Sequence, residues 1–188
     1  YKVRRAQAYE TNDGALHNLT TLIQKKGFLE GRMRSNSKAV FRRRGMIQNF
    51  IQEQVDTLAR TLQRSVAIDD VGINLVAVSK HFDDADDARV RAILARTLEE
   101  DSCQYLFSFG IVATRDKIVR IPECRELGFK ERSCYPIRWQ ERTLGYLWLV
   151  GKVSPAEDKA AVACAGELAV PMFSMQLEGE QAFSKHEL

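Results

Sequence analysis

The sequence has few of the residues on which most enzyme and metal sites are built. It contains three histidines, far apart at His17, His81 and His186, and four cysteines without a C-x-x-C pair. No serine lies in a G-x-S-x-G motif, and no glycine-rich loop of the phosphate-binding kind occurs. These absences argue against a zinc site, a serine hydrolase and a P-loop nucleotide site. We therefore predict a non-enzymatic protein without a metal or cofactor.

Long apolar runs are missing as well. No apolar run approaches the length that spans a bilayer, and the first residues are basic and polar, without the apolar core of a signal peptide. Isolated cysteines in such a chain are typical of reduced, buried thiols. Hydrophobic residues make up 45% and charged residues 28% of the sequence, as in an ordinary globular domain. We predict a cytoplasmic protein that does not contact a membrane.

The net charge of +3 conceals an asymmetry along the chain. Residues 1–45 hold eleven Lys and Arg against three acidic residues, whereas residues 46–188 hold seventeen basic and twenty-two acidic residues. The stretch from Gly31 to Gly45 is polar and basic, which predicts a linker or a solvated arm. The sequence therefore divides into a basic N-terminal extension over residues 1–45 and a main domain that begins at Met46.

Apolar periodicity predicts three helices in the main domain. The first covers residues 46–62, whose apolar positions recur at helical spacing. The acidic run Asp83–Asp87 lacks the ligand spacing of a calcium loop and instead caps a second helix. Ser154 and Glu157 form a capping box for a third helix over residues 154–178, which Pro171 is expected to kink or interrupt. The second helix is expected to bury one apolar face, formed by Val90, Ile93, Leu94 and Leu98.

Between the helices, short runs of β-branched and aromatic residues predict strands. Residues 140–142 connect the two clearest runs, so these form a hairpin, and Pro136 places its strand at an edge or a bulge. Asp69 and Asp70 are expected to form the turn after the first run. The order of elements predicts an α+β fold, an antiparallel sheet with helices packed on it. The predicted strands are residues 65–68, 73–78, 105–111, 118–122, 134–139 and 143–150.

Residues 46–178 resemble the GAF-like sensor region of PucR-type (purine-catabolism-regulator-like) bacterial transcription regulators. No single segment is diagnostic, but the order and spacing of the matching segments are specific. The segments are Leu62–Asp70, Leu75–Ser79, Arg91–Leu94, Val119–Pro122, Leu127–Gly128, Arg132–Arg138 and Leu144–Leu149.

The resemblance implies a GAF/PAS-like sheet in a domain that senses a signal or dimerises, with residues 179–188 as a tail. Regulators of this type usually carry a C-terminal helix-turn-helix domain, which this sequence does not contain. The chain is then a stand-alone or truncated sensor, which would contact DNA only indirectly, or it has diverged from the regulator role. A homodimer is expected through the helices 46–62 and 154–178, on the opposite side of the sheet from a small-molecule ligand.

Aromatic residues that alternate along the predicted strands form the candidate ligand site. Such residues share one face of a strand and are expected to meet across the sheet as an apolar wall, with an arginine to hold an anionic ligand. An ordinary core or dimer interface is the simpler interpretation of each of these residues. The candidate ligand-binding residues are Tyr105, Phe107, Phe109, Arg120, Arg132, Tyr146 and Trp148.

Two other functions remain open. Cys124 and Cys134 flank basic residues, a setting that lowers the pKa of a thiol, so a redox switch is conceivable although structural cysteines are more common. The basic extension offers a nucleic-acid-binding surface, although it lacks a helix-turn-helix and interleaved aromatic residues. The arginines of that surface are Arg32, Arg34, Arg42, Arg43 and Arg44.

Overall fold

The computed structural model describes residues 36–80, 82, 84, 86–114 and 117–184. Five strands form one antiparallel sheet in the order β2-β1-β5-β4-β3. Helices pack on both faces of this sheet, and the predicted α+β class is confirmed. The elements are α1 (Asn36–Leu62), β1 (Val66–Asp70), β2 (Leu75–Val78), α2 (Asp87–Ala95), α3 (Glu100–Ser108), β3 (Val119–Ile121), β4 (Arg132–Trp139), β5 (Arg142–Val150) and α4 (Pro155–Ser184).

The predicted hairpin of β4 and β5 is confirmed and lies at the centre of the sheet. Gln140, with a φ of +52°, makes the tight connection between the two strands. Strand β3 pairs with β4 only as far as Cys134, so Pro136 lies where β4 has no hydrogen-bonded neighbour on that side. The register also shifts between Ile137 and Arg138. Pro136 thus takes a position where a strand neighbours β4 on one side only.

Strand β1 extends further than its sequence suggests. Asp69 and Asp70, predicted as a turn, continue the strand and pair with Tyr146 and Gly145 of β5. Asp70 Oδ1 then accepts hydrogen bonds from the backbone N–H groups of the turn that follows. At Gly145 a Cβ atom would lie 2.2 Å from the carbonyl oxygen of Asp69, so only glycine permits this pairing.

Helices α1 and α4 cover one face of the sheet as an antiparallel pair. Ion pairs join both ends of the pair, with 3.2 Å between Arg43 and Glu178 and 2.9 Å between Arg64 and Glu157. Each fully buried aliphatic side chain in this layer contributes about 1.5–3 kcal/mol. The helical residues of this core include Ile47, Ile51, Val55, Leu58, Ala161, Ala165, Leu168, Ala169 and Met172.

Both of these helices are longer than predicted. Helix α1 begins at Asn36, so residues 36–45, expected as linker, are helical and continuous with the core helix. The predicted capping box starts α4, since Glu157 Oε2 accepts from Ser154 N at 2.7 Å and Ser154 Oγ from Glu157 N at 3.4 Å. The helix then continues through Pro171 to Ser184, so neither an interruption at Pro171 nor a separate tail from residue 179 occurs before Ser184.

Part of α4 is apolar enough to pass as a membrane span. An 18-residue window within Pro155–Gly179 has a mean hydropathy of 1.4, and the segment has the length to cross a bilayer. Within the fold, however, 44% of an 18-residue window in this segment is buried, and α4 packs against α1 and the sheet. Its composition is therefore accounted for by its place in the core.

The opposite face of the sheet is covered by the short helices α2 and α3. Asp86 is the N-cap of α2, and its Oδ1 accepts from Arg89 N at 2.8 Å, which confirms the predicted acidic cap. The predicted apolar face of α2 is wrong, because Val90 and Leu94 are 44% and 81% exposed while Arg89 is buried. This helix turns a guanidinium, and not its largest aliphatic side chains, toward the sheet.

The predicted strand at residues 105–111 is also wrong, since Tyr105 lies in α3 and the helix ends at Ser108. Glu100 and Asp101 stand in the first turn of α3, where the helix dipole favours acidic side chains. The aromatic alternation that suggested a strand also places Tyr105 and Phe109 four residues apart, on one side of a helical path.

Candidate functional site

The register of the sheet places polar and aromatic side chains on the face that α2 and α3 cover. We call this face the α3 face. Asp69 of β1 stands opposite Tyr146 of β5, and Trp148 stands opposite both Ala67 of β1 and Cys134 of β4. Directly paired residues point to the same side of an antiparallel sheet. The α3 face therefore carries a carboxylate, a thiol, a phenol and an indole side by side.

Five of the predicted aromatic residues belong to the buried cluster on this face. Tyr146 and Trp148 come from β5, with ring centroids 6.0 Å apart, while Tyr105, Phe107 and Phe109 come from the α3 segment. Tyr105 meets Phe109 edge to face at 5.1 Å, and its hydroxyl donates to the carbonyl oxygen of Pro122 at 3.0 Å. The helix thus brings together residues that were expected to meet as strands.

The polar edge of the Trp148 indole lies beside the carboxyl of Asp69 without meeting the geometry of a full hydrogen bond. The side chain is 3% exposed, and its Nε1 makes no hydrogen bond of acceptable geometry. Tyr146 beside it is 1% exposed, and burial raises the pKa of its hydroxyl to about 12. Near neutral pH the phenol is therefore protonated, and the wall of the cluster is uncharged.

Asp69 is the buried acid of the α3 face. Burial raises its pKa from 3.8 to about 7, and the neighbouring Asp70 adds to the increase. The indole of Trp148 and the cations of Arg132 and Arg89 act in the opposite direction but do not outweigh the burial. Asp69 therefore changes its protonation state near neutral pH, within the protein interior.

Arg132 is a buried cation of this face, and it is already engaged. Its Nη2 contacts Asp86 Oδ2, and its guanidinium lies 4.0 Å above the ring centroid of Phe129. Asp86 Oδ2 also accepts from Lys130 N at 2.8 Å. Burial lowers the pKa of Arg132, while the carboxylate of Asp86 raises it. The pair fixes β4 against the cap of α2.

A second buried guanidinium, Arg89 of α2, was not anticipated from the sequence. It is 6% exposed, its Nη2 donates to the carbonyl oxygen of Val66 at 2.9 Å, and its Nε has no hydrogen-bond partner. Asp84 stands near it, with Oδ2 bound to Ser65 N and Oδ1 unpartnered. An arginine in the first turn of a short helix gives no local signal of burial, because its position depends on how the helix docks.

Arg120, the other predicted anchor, lies on the opposite face of the sheet. It pairs with Ser133 in the register of β3 and β4, one residue out of phase with Cys134 and Arg132. Its guanidinium contacts Ser133 Oγ and forms an ion pair with Asp158 of α4. Arg120 therefore does not join the aromatic cluster of the α3 face.

The cysteines of the redox hypothesis differ in their surroundings. Cys134 is 1% exposed, and burial raises the pKa of its thiol well above the usual value. A thiolate, the reactive form, is thereby disfavoured at Cys134. Cys124 is partly exposed, and its Sγ donates to Glu126 Oε2 at 3.4 Å, so a carboxylate contacts the thiol.

The arginines of the basic extension fall into two groups. Arg32 and Arg34 lie outside the described residues. Arg42, Arg43 and Arg44 are exposed on α1, where Arg43 pairs with Glu178 of α4. Among the described residues, no group of three or more His, Cys, Asp or Glu side chains is placed to hold a metal ion.

No protein-family model matches the sequence. One curated relative does: over 101 residues the chain is 27% identical to AdeR, the DNA-binding transcriptional activator of Bacillus subtilis (strain 168). The match covers 52% of this chain and 24% of that protein, so the chain spans about a quarter of the length of its relative.

Solved structures similar to the chain include two GAF domains. The GAF domain of Acinetobacter phosphoenolpyruvate-protein phosphotransferase matches 77% of this chain and 97% of that structure, at 13% identity and a TM-score of 0.48. The blue-light absorbing PixJ GAF domain of Thermosynechococcus elongatus matches 84% and 99%, at 15% identity and 0.48. A free methionine-R-sulfoxide reductase of Thermoplasma acidophilum matches 68% and 96%, at 12% identity and 0.39. The α+β assignment rests on the strand order and the helical layers described above.

Proposed function

We propose that the chain is a GAF-like, PucR-type signal-sensing domain of a cytoplasmic transcription regulator, without catalytic activity. In this proposal the α3 face binds a small molecule, and the layer of α1 and α4 pairs with a second copy of the chain. DNA contact then belongs to other parts of the regulator, as the match to a quarter of a DNA-binding activator suggests.

The observation that carries the proposal is the difference between the two faces of the sheet. One face is covered by two long helices, and its core of apolar side chains includes Cys164 and Met172. The α3 face instead combines half-buried aromatic rings with the buried ionisable side chains Asp69, Asp86, Arg89 and Arg132. Ligand sites are mainly apolar with a few placed polar groups, and perturbed carboxylates cluster at functional sites.

The helical layer supplies the surface for association. Val162 on α4 is 52% exposed, and no atom lies within 4 Å of the Cβ position of Gly166 one turn further along. Buried hydrophobic area is the main source of association energy, so the exposed Val162, next to the open space at Gly166, suits contact with a second copy. A ligand on the α3 face would act through its different affinity for two arrangements of that pair.

A reporter of dimerisation tests the proposal directly. The chain is fused to a DNA-binding domain that represses a promoter only when it is held as a dimer. We expect repression by the fusion and loss of repression in Val162→Glu, which places a charge on the α4 surface. Val112→Glu is the matched control, since Val112 is 60% exposed but lies between α3 and β3. A soluble fusion that represses no better than the DNA-binding domain alone would contradict the paired sensor.

A further inference from the structure

One side of α4 faces away from the rest of the chain over the first half of the helix. Val162 is 52% exposed, and Lys159, Ala163, Gly166 and Glu167 are exposed as well. Residues three and four positions apart are neighbours on a helix, so these five residues form one continuous surface. We call this surface the outer α4 face.

The outer α4 face carries two opposite charges at equal distances from Ala163. Lys159 lies four residues before Ala163 and Glu167 four residues after it. At 1.5 Å per residue, each charge-bearing residue is displaced about 6 Å along the helix from Ala163. Neither Lys159 nor Glu167 forms an ion pair with another described residue. Both charges are therefore available to a partner.

A second copy of the chain fits this arrangement of charges. A two-fold axis brings the same surface of two copies together, so every contact occurs twice. If two α4 helices run antiparallel with the axis at Ala163, Lys159 lies opposite Glu167 of the partner subunit. A parallel pair would instead bring Lys159 next to its own counterpart, and like charges repel. The charges therefore favour the antiparallel arrangement.

The centre of the outer α4 face allows two helices to approach closely. Ala163 has a small side chain, and no atom lies within 4 Å of the Cβ position of Gly166. Packed helices are about 8–10 Å apart, and the side chains between them set the distance. Small residues at the centre favour the shorter distances, at which Lys159 and Glu167 side chains can meet. Val162 supplies apolar area to the same contact.

We infer that α4 of one copy packs antiparallel against α4 of a second copy, with the two-fold axis at Ala163. Lys159 forms an ion pair with Glu167 of the partner subunit on each side of the axis. This inference rests on the proposed pairing of two copies and specifies its geometry. The ends of the two helices at Ser184 then point in opposite directions.

Exchange of the two charges tests this register. The dissociation constant of the dimer is measured by analytical ultracentrifugation of the full chain. Lys159→Glu and Glu167→Lys each turn two attractive pairs into two repulsive ones, so each should weaken the dimer about tenfold. The double variant restores both pairs with the charges exchanged, and its dissociation constant should return to within about threefold of the wild-type value. Lys117→Glu, the same change at an exposed residue before β3, should have no effect.

New cysteines distinguish antiparallel from parallel helices. Ala163→Cys meets itself at the axis and should form a disulfide between two copies under mild oxidation. Ala156→Cys, one residue in a similar exposed setting, should not, because the two new thiols would be about 21 Å apart along an antiparallel pair. The wild-type chain under the same oxidation measures the background from the native thiols. Cross-linking of both variants would indicate parallel helices and overturn the inference.

Failure of this register can be distinguished from failure of the proposed pairing. The wild type could dimerise and Val162→Glu could weaken the dimer, while the double charge variant is not restored or Ala163→Cys does not cross-link. That result would overturn the antiparallel register and leave the paired sensor standing. A wild-type chain that sediments as a monomer throughout would overturn both.

Discussion

Arg120 on the edge strand β3 forms an ion pair with Asp158 in the first turn of α4, and so fastens the edge of the sheet to the helical layer. Asp158 Oδ1 also accepts a hydrogen bond from the hydroxyl of Tyr135 on β4, at 2.6 Å. One carboxylate therefore joins two strands to the start of the longest helix. Burial and the hydrogen bond to Asp158 raise the pKa of the Tyr135 hydroxyl, which keeps this donor protonated.

Replacing Asp158 with Asn should destabilise the fold by about 1 kcal/mol, measured by urea unfolding. Most of this loss comes from the hydrogen bond of the part-buried Tyr135, because the Arg120 side chain is 46% exposed and solvent screens its ion pair. Glu123→Gln, which removes the exposed pair of Glu123 with Arg125, should leave the unfolding curve unchanged. Equal effects of the two variants would show that the contacts of Asp158 with Tyr135 and Arg120 contribute no stability.

Stability should fall as the pH rises, because of Asp69. Its pKa is about 7 in the folded protein and 3.8 when unfolded, so the folded state binds the proton more tightly. The stability from this group is fully present below pH 3.8 and is lost as the pH rises through 7, a loss of about 4 kcal/mol at most. Urea unfolding at pH 5, 6, 7 and 8 should show the decline in the wild type and a flatter profile in Asp69→Asn. Parallel profiles for the two proteins would contradict the burial of an ionisable Asp69.

Truncation to alanine should reduce the stability of the fold by very different amounts at two leucines. Leu106 of α3 is 1% exposed, so Leu106→Ala should cost about 2–5 kcal/mol through lost burial and the cavity that remains. Leu94 of α2 is 81% exposed, so Leu94→Ala should stay within about 0.5 kcal/mol of the wild type. Thermal or urea unfolding of the two variants measures the difference. A large loss in Leu94→Ala would mean that this side chain is covered in solution.

The four thiols should separate by reactivity in the folded protein. Cys134 and Cys164 are buried, and burial raises the pKa of the Cys164 thiol to about 12. Mass spectrometry after brief treatment with dilute peroxide or iodoacetamide should find these two cysteines unmodified and Cys124 modified first. In urea all four should react. Fast reaction at Cys134 in the native protein would revive the redox-switch hypothesis for that residue.

Local patterns predicted much of the fold. The strands of the hairpin, the capping box at Ser154 and the acidic cap of α2 each depend on neighbours within a few residues, so the sequence was sufficient for them. The segment containing Tyr105 fits both a strand and a helix by its pattern, and the observed helix packs Leu106 and Tyr105 against distant residues such as Phe129, which local pattern does not reveal. The interruption considered at Pro171 does not occur, and α4 continues there in contact with α1 and the sheet.

The candidate site was less predictable, because it depends on register and docking. An extended segment at Arg120 could be predicted, but its face is fixed by the pairing of Arg120 with Ser133 on a distant strand. Asp69 was assigned to a turn because two consecutive aspartates usually favour turns, whereas here the strand continues through both. The burial of Arg89 follows from the docking of α2, on which the sequence is silent.

The edges of the sheet offer few free backbone groups with which another copy of the chain could pair. The outer strands β2 and β3 contain only four and three residues, and Pro136, which has no N–H, lies where β4 runs beyond β3. Such edges are poor templates for a foreign strand, so runaway stacking of sheets into fibres is discouraged. Any lasting contact between two copies must then be made by side chains, whose fit is selective, and not by the backbone, which would accept almost any strand.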